Sequence, residues 1–218
     1  MAGMARPPGK RATGKPPKAE RSEDSDRSEP RIRIIGGSLR GRSVPYLGDP
    51  RTRPMKDRVR ESVFDLLADS VVGQEVIDLF AGTGAIGLEA MSRGASGATF
   101  IERHVPTARR IRAILAEWGL EARARVVTAD SFFWLRHDWK PSSTPTLLFC
   151  SPPYASYESQ RAALCGLLTD FGSRSAPGSR IVAESDERFD ATVSLPGFAW
   201  RVRAYPPAIL AIGSPIRS

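Results

Sequence analysis

The chain has 218 residues, 41% of them hydrophobic, and a net charge of +8 at pH 7. This length can bury one substantial core, and no apolar run approaches the roughly 18 residues that a membrane-spanning helix needs, so we expect no membrane partner. Two cysteines, Cys150 and Cys165, are too few for a disulfide framework, and residues 1–30 lack the apolar stretch of a signal peptide; both facts favour a cytoplasmic protein.

The first thirty residues differ in composition from the rest. They are rich in Pro, Gly, Ser, Lys and Glu and almost lack large apolar side chains. Such a segment cannot bury enough surface to offset the entropy lost on ordering. We therefore predict a disordered tail over residues 1–30, a basic N-terminal element over residues 31–72 and a catalytic domain over residues 73–218.

The positive charge is concentrated in residues 31–60. This block holds nine Lys or Arg residues, eight of them Arg, against Asp49 and Asp57, so its own net charge is +7. Arginine attracts polyanions because its planar guanidinium group matches phosphates and base edges, although a basic run can also be an ordinary solvated face. We interpret the block as an RNA-binding element. Its predicted RNA contacts are Arg31, Arg33, Arg40, Arg42, Arg53, Arg58 and Arg60.

The basic element divides into a hairpin and a helix. Residues 31–35 alternate toward an apolar strand, Gly36 and Gly37 make a turn, and residues 39–46 return as the second strand. A helix follows the proline-containing loop and is predicted to be capped by Asp57. Its apolar face carries Val59, Val63, Leu66 and Leu67.

From residue 75 onward, short apolar strands alternate with amphipathic helices. The predicted strands are residues 76–80, 98–101, 125–128, 146–150, 180–184, 198–204 and 207–212. The predicted helices lie near residues 85–93, 106–118, 131–136 and 158–170. This alternation predicts an α/β fold with a mostly parallel sheet that is covered by helices on both faces.

A glycine-rich turn joins the first of these strands to a helix. Gly82, Gly84 and Gly87 satisfy the spacing Gly-x-Gly-x-x-Gly, which lets a ligand approach the backbone closely at the start of a helix. The same spacing fits a dinucleotide fold, so a nicotinamide oxidoreductase stays open on this motif alone. A glycine turn without a ligand is the third possibility.

Acidic residues at the strand ends favour a different cofactor. Asp78 would crowd a pyrophosphate but suits the ammonium group of S-adenosylmethionine. Glu102 closes the second strand, where a carboxylate can accept both ribose hydroxyls. Asp130 ends the third strand, where it can read an adenine edge or cap the helix that starts at Ser131. The predicted cofactor-binding residues are Asp78, Phe80, Ala81, Gly82, Gly84, Glu102 and Asp130.

A stiff aromatic loop, Ser151-Pro152-Pro153-Tyr154, follows the fourth strand, where open α/β sheets bind ligands. The prolines fix φ and remove two N–H donors. The Pro152 carbonyl and the Ser151 hydroxyl can therefore accept the N–H groups of an aromatic amine while Tyr154 stacks on the base. We predict that these four residues are catalytic and that the reaction needs no strong base. The alternative is a purely structural role, in which the two prolines form a turn and the tyrosine packs against the core.

These motifs together resemble the RsmD family of bacterial methyltransferases over roughly residues 31–190. The most specific shared segments are residues 31–37, 40–42, 53–61, 78–84, 87–90 and 101–102, with the prolyl loop. The resemblance implies a Rossmann-like methyltransferase fold with a seven-stranded sheet, S-adenosylmethionine as donor, and RNA contacts from the basic element. It also implies methylation of the exocyclic N2 amine of a guanine in small-subunit (16S) ribosomal RNA, naked or in an assembling subunit. We expect a monomer without a metal.

Three positions depart from the family pattern. Ser151 replaces the usual Asp before Pro-Pro, and a neutral hydroxyl is a weaker acceptor than a carboxylate, which predicts lower turnover. Met55-Lys56 stands where the family often carries Thr. Residues 203–207 replace a more usual Lys-x-Tyr-Gly pattern at the substrate side.

Three other functions compete with this one. A prolyl clamp also serves amide nitrogens, so methylation of a protein glutamine amide is possible, and so is RNA binding without catalysis. A nicotinamide oxidoreductase is disfavoured by Asp78 and by the two histidines, His104 and His137, which both resemble surface helix residues.

Overall fold

The computed structural model describes Met1, Gly3, residues 31–46 and residues 54–217. Nearly all of the predicted disordered tail, and Arg53 among the predicted RNA contacts, lie outside these residues. Within them, no helix is both long enough and apolar enough to cross a membrane.

A short antiparallel hairpin opens the main described region. Strand β1 (Arg31–Arg33) pairs with β2 (Ser43–Pro45). Both strands are shorter than predicted, because the backbone turns over residues 36–41. The pairing extends beyond the strands by two backbone hydrogen bonds, from the Ile34 N–H to the Arg42 carbonyl and from the Gly41 N–H to the Ile34 carbonyl, both at 2.9 Å.

Helix α1 (Asp57–Leu67) follows, and the chain then makes a 3-10 turn over Ala68–Val71. The predicted cap is wrong: Lys56 occupies the N-cap position, and Asp57 is the first helical residue. The Asp57 carboxylate instead accepts a hydrogen bond from Arg60 at 3.1 Å. The predicted apolar face is confirmed. Its buried residues are Val59, Val63, Phe64 and Leu67, with Leu66 half-buried beside them.

The central sheet has seven strands. They are β3 (Glu75–Asp78), β4 (Gly97–Ile101), β5 (Ala124–Val127), β6 (Thr146–Cys150), β7 (Arg180–Ser185), β8 (Phe198–Tyr205) and β9 (Ala208–Pro215). Their order is β5-β4-β3-β6-β7-β9-β8. The first five in this order are parallel, and β9 runs antiparallel to both β7 and β8. The predicted mostly parallel sheet is confirmed, with strand boundaries within one or a few residues of the expected ones.

Helices cover both faces of this sheet. They are α2 (Ala85–Ser92), α3 (Val105–Glu117), α4 (Ser131–Phe133), α5 (Ser156–Ser159), α6 (Arg161–Arg174) and α7 (Ala191–Ser194). Helix α4 continues as a π-helical turn over Trp134–Asp138. The single helix predicted near residues 158–170 is two helices, because the backbone leaves the helical region at Gln160, where φ is −128°.

A buried glutamate joins the hairpin to α2. Glu89 accepts hydrogen bonds from the backbone N–H groups of Ile35 and Gly36, both at 2.8 Å. Its carboxylate also lies 2.8 Å from the Arg93 guanidinium and 3.7 Å from that of Arg60. Because such a charge is costly to bury without partners, this network fixes the position of the N-terminal segment.

The end of α2 holds the turn of the hairpin. The Ser92 carbonyl accepts the Ser38 N–H at 2.8 Å, and the Ser92 hydroxyl accepts the Leu39 N–H at 2.9 Å. Gly37 has φ +79°, and a Cβ built on it would lie 1.9 Å from the Ser92 carbonyl oxygen. Only glycine therefore permits this close approach.

The hairpin shares one hydrophobic core with the sheet. Ile32, Ile34 and Val44 are buried in the same cluster as α1, α2 and residues such as Phe149 and Val182 of the sheet. A second cluster, on the other face, packs α6 against β6 and β7. The N-terminal element thus lies directly on the α/β sheet, and the boundary drawn at residue 72 stays a prediction.

Replacing Gly37 by Ala should destabilise the protein more than replacing Gly41. Both glycines have positive φ, 79° and 86°, so alanine incurs a similar backbone strain of about 1–2 kcal/mol at each. A Cβ at Gly41 meets no described atom within 4 Å, whereas one at Gly37 collides with the Ser92 backbone. Urea denaturation should give a distinctly lower free energy of unfolding for Gly37→Ala. Equal values for the two variants would contradict the docking of the turn on α2.

Candidate active site

A cavity of about 670 Å³ lies at the carboxyl ends of the parallel strands. Its volume is typical of small-molecule sites. Its wall includes the glycine turn after β3, the prolyl loop after β6 and the start of α1. The two predicted sites, for the cofactor and for the chemistry, therefore belong to one cavity.

The glycine turn has the backbone geometry that its sequence predicts. Gly82 and Gly84 have φ of 51° and 75°, and Gly84 is the left-handed N-cap of α2. Gly87 serves packing: a Cβ there would lie 2.4 Å from the Phe100 ring and 3.2 Å from the Asp78 carboxylate. The third glycine thus lets α2 lie close to the sheet and to Asp78.

Asp78 is a buried acid at the end of β3. Only 3% of the residue is exposed, and its carboxylate accepts a hydrogen bond from the Gly87 N–H at 3.3 Å. Burial raises the pKa of Asp78 to about 7; the bond from Gly87 lowers it and the nearby charge of Glu102 raises it further. The group therefore titrates near neutrality, which suits a site that receives a cationic ligand.

Glu102 follows the end of β4 and is held by two backbone donors. Its carboxylate oxygens accept the Gly82 N–H at 2.9 Å and the His104 N–H at 2.7 Å. Each oxygen has a second lone pair, so the group can still accept hydroxyls of a ligand. The His104 ring contacts Thr107 at 2.8 Å, as expected for a residue at a helix start.

Asp130 lines the cavity and also caps α4, with its carboxylate accepting the Phe133 N–H at 3.0 Å. The predicted role of Asp130 as a helix cap is therefore confirmed, and the contact of Asp130 with adenine stays a prediction. Phe80 and Ala81 line the same part of the cavity. Phe132, which the sequence did not single out, meets the Phe80 ring edge-on at a centroid distance of 5.9 Å.

The prolyl loop lines the opposite part of the cavity with all four predicted residues. The Ser151 Oγ is buried and has no hydrogen-bond partner among the described residues. The Pro153 carbonyl accepts the Ser156 N–H at 2.8 Å and so starts α5. A buried hydroxyl without a partner is unfavourable, so this oxygen is an acceptor available to a ligand in the cavity.

Glu184 is a residue of this cavity that the sequence reading missed. It lies near the end of β7 with 8% exposure, and its Oε1 accepts the Tyr154 hydroxyl at 3.0 Å. The signal in the sequence was an acid directly after the apolar residues 181–183 of a predicted strand.

Five of the predicted RNA-binding arginines are exposed. They are Arg31, Arg33, Arg40, Arg42 and Arg58. The prediction for Arg60 is wrong, because its side chain is fully buried and donates to the Arg33 carbonyl at 2.6 Å while it pairs with Glu89. Arg60 is a structural residue that ties α1 to the hairpin and to α2.

The edge strand β8 adds a basic row that the sequence did not reveal. Arg201 and Arg203 are exposed and alternate along the strand, so with Tyr205 they share one face. Arg58 lies 6.0 Å from the Tyr205 ring centroid, and Tyr205 itself lines the cavity. The row therefore runs from Tyr205, beside the start of α1 and the cavity, to Arg201, which donates to the Leu66 carbonyl near the end of α1 at 3.5 Å.

No group of three or more His, Cys, Asp or Glu side chains in residues 31–46 and 54–217 is arranged to hold a metal ion. Cys150 is buried and Cys165 is half-buried, and both are free thiols.

Known proteins resemble this chain in sequence and in structure. Ribosomal RNA small subunit methyltransferase D of Escherichia coli (strain K12) is 43% identical over 124 residues, which cover 56% of this chain and 60% of that protein. The chain thus spans about three fifths of the length of that relative. "Putative methyltransferase yhhF" from Escherichia coli, a solved structure, superposes with a TM-score of 0.73 at 29% identity, over 87% of this chain and 100% of that chain. The expected methyltransferase fold is confirmed.

Two further matches cover more of the sequence. "Putative rRNA methyltransferase YlbH" of Bacillus subtilis (strain 168) is 32% identical over 159 residues, which cover 73% of this chain and 85% of that protein. A family model described as "Conserved hypothetical protein 95" matches residues 32–199. With most of its length matched in this way, the chain belongs to that family, the RsmD family.

Proposed function

We propose that this protein transfers a methyl group from S-adenosylmethionine to the exocyclic N2 amine of a guanine in small-subunit ribosomal RNA. Family membership and the names of two relatives support this proposal. The observation that carries it is the buried Ser151 Oγ, which lines the cavity and lacks a partner among the described residues. It is a buried acceptor that none of the described residues satisfies, and a ligand in the cavity can bring the donor.

The glycine-turn end of the cavity fits S-adenosylmethionine by its charge. Asp78, Glu102 and Asp130 line it, and three carboxylates favour a ligand with an ammonium group and a diol over one with a pyrophosphate. Asp78 would hold the ammonium group, and Glu102 would accept the ribose hydroxyls. The Phe80 and Phe132 rings would flank the adenine.

The cofactor would supply an electrophilic methyl group on its sulfonium sulfur. The Ser151 hydroxyl and the Pro152 carbonyl accept the two N–H groups of the target amine and draw its nitrogen toward tetrahedral geometry, so that the lone pair faces the methyl carbon. The Tyr154 ring stacks on the base, which must leave its helix or loop to enter the cavity. The amine nitrogen would take this methyl group with the thioether as leaving group, and the methylated nitrogen would then lose its proton to solvent, so no strong base of the chain is needed.

The exposed arginines of the hairpin and α1 would bind the RNA backbone, and Arg201 and Arg203 on β8 would extend that surface along α1. An rRNA substrate places the reaction in the cytoplasm, and we expect the protein to act as a monomer.

The reaction itself can be tested with tritiated S-adenosylmethionine. The acceptors are naked small-subunit rRNA, assembled small subunits and a protein extract, and the labelled product is digested and identified by mass spectrometry. We expect label on N2-methylguanosine. Label on a glutamine amide, or RNA binding without transfer, would overturn the proposal in favour of the corresponding alternative.

Replacing Ser151 by Ala should lower kcat about tenfold, the value of one net hydrogen bond, and leave cofactor affinity unchanged. Ser151→Asp restores an acceptor and should retain or exceed wild-type turnover. Single-turnover transfer and calorimetry with S-adenosylhomocysteine measure the two effects separately. A Ser151→Ala enzyme as fast as the wild type would contradict the role given to the hydroxyl.

Cofactor affinity should depend on pH through Asp78. Only the ionised carboxylate pairs with an ammonium group, and its pKa is raised to about 7, so a proton must leave before binding at lower pH. We expect affinity for S-adenosylmethionine to fall about tenfold per pH unit below 7 and to level off above it. Calorimetric titrations from pH 5.5 to 7.5 measure this. Asp78→Asn should remove both the affinity and its pH dependence.

The exposed Asp65 on α1 offers a matched control, since Asp65→Asn makes the same chemical change away from the cavity and should reproduce the wild-type curve. A wild-type affinity that does not change across this pH range would count against the pairing of Asp78 with the cofactor.

Charge reversal of Arg40 and Arg42 to Glu should weaken RNA binding and lower the slope of log affinity against log salt by about 2, because two phosphate contacts are lost. Arg136→Glu with Lys140→Glu makes the same change in net charge beside Trp134 and Trp139, in the core of the opposite face. That control should keep the wild-type slope. Equal losses in both double variants would mean that net charge, and not the hairpin, binds the RNA.

A further inference from the structure

Glu184 is a buried carboxylate to which the proposed reaction assigns no role. It has 8% exposure and lines the same cavity as the prolyl loop. Burying an acid next to a substrate site is unfavourable unless donors satisfy it. Tyr154 supplies one such donor, and the place of Glu184 in the cavity wall lets a substrate supply another.

The sheet register sets Glu184 beside Ser151. Strands β6 and β7 are parallel, and Cys150 pairs with Ala183. The next residue is Ser151, directly after the end of β6, on one side and Glu184, within β7, on the other. The preceding pair is Phe149 and Val182. Both of these side chains face the core that contains α1 and α2. Since side chains alternate along a strand, Ser151 and Glu184 are directed to that same side, next to one another.

Tyr154 fixes the orientation of the Glu184 carboxylate. Its hydroxyl donates to Oε1 at 3.0 Å, so the ring that would stack on the base is tied to the acid. A carboxylate has about four acceptor positions, so it can accept several hydrogen bonds at once, the one from Tyr154 among them. The acid can thus also accept a donor at the edge of a stacked base.

Guanine presents three N–H donors in a row on one edge: N1–H and the two hydrogens of the N2 amine. The cavity presents three acceptors in the same region: Glu184, the Ser151 hydroxyl and the Pro152 carbonyl. A purine with an unprotonated N1 would instead direct a lone pair at the carboxylate, which is repulsive.

We propose that Glu184 selects guanine by accepting its N1–H, while Ser151 and Pro152 accept the N2 hydrogens. This inference rests on the proposed function, because it assigns the base-reading group of the same site. Glu184 is then a specificity-determining residue, and its bond to Tyr154 keeps the acceptor and the stacking ring in one geometry.

The test compares two bases that share the reacting amine. After mass spectrometry has located the methylated guanine, small-subunit rRNA is ligated with either guanine or 2-aminopurine at that position and is offered naked or assembled, whichever form is methylated. 2-Aminopurine keeps the exocyclic amine but has an unprotonated N1. The readouts are the ratio of kcat/KM for the two RNAs and the ratio of their dissociation constants measured with S-adenosylhomocysteine.

We expect the wild-type enzyme to prefer guanine by about 10- to 100-fold, the discrimination of a good base-edge contact. In Glu184→Gln the side-chain amide can offer either an acceptor or a donor, so the preference should shrink to about threefold or less. Tyr154→Phe is the matched control: it removes the bond to Glu184 but keeps the carboxylate and the ring. It should slow transfer to both RNAs and retain most of the preference.

A Glu184→Gln enzyme with the wild-type ratio would overturn the inference and leave Glu184 as a support for Tyr154 alone. A wild-type enzyme that does not distinguish the two bases would overturn it as well, whether or not the variant folds. Absence of transfer to either RNA by the wild type would contradict the proposed function instead.

Discussion

Burial of carboxylates at the carboxyl edge of the sheet is the constraint on which the site depends. Asp78 and Glu184 are 3% and 8% exposed at the ends of β3 and β7. Because burial raises the pKa of Asp78 to about 7 from 3.8, the folded chain binds a proton that the unfolded chain releases, so this group's contribution to stability is lost as pH rises from about 4 to 7. A cationic ligand beside Asp78 would offset the cost of burying its ionised carboxylate, which is a physical reason for binding.

Helix α2 links the two halves of the proposed activity. It begins at the left-handed Gly84 of the cofactor turn and ends at Ser92, which holds the hairpin turn through Ser38 and Leu39. All eight of its residues are buried. From the middle of the helix, Glu89 binds the backbone of the hairpin. The arginine-bearing element and the glycine turn are therefore attached to one short rigid element, which fixes the direction from which RNA reaches the cavity.

Much of the fold followed from the sequence because its signals were local. No distant partner is needed to recognise the apolar strands, the glycine turn or the proline loop. The strands, the turn and the part of the cavity wall that the loop forms were therefore predicted within a few residues. The failures were long-range. In the sequence, Arg60 is indistinguishable from the other arginines of the basic block and was predicted to contact RNA. The fold instead brings it to Glu89, which lies 29 residues away in the chain. Likewise, Glu89 accepts the backbone N–H groups of Ile35 and Gly36 just after β1 has ended, a contact that no local signal predicts. The role of Glu184 depends on its position beside Ser151, which the sheet register sets.

The central claim is that an acidic glycine turn and a proline-stiffened aromatic loop form a single site for S-adenosylmethionine and a purine amine. A crystal structure with S-adenosylhomocysteine tests this most directly. It should place the ammonium group within hydrogen-bond distance of Asp78, the ribose hydroxyls on Glu102, and the sulfur facing Ser151. A ligand bound elsewhere, or a glycine turn filled by the protein's own side chains, would contradict the account.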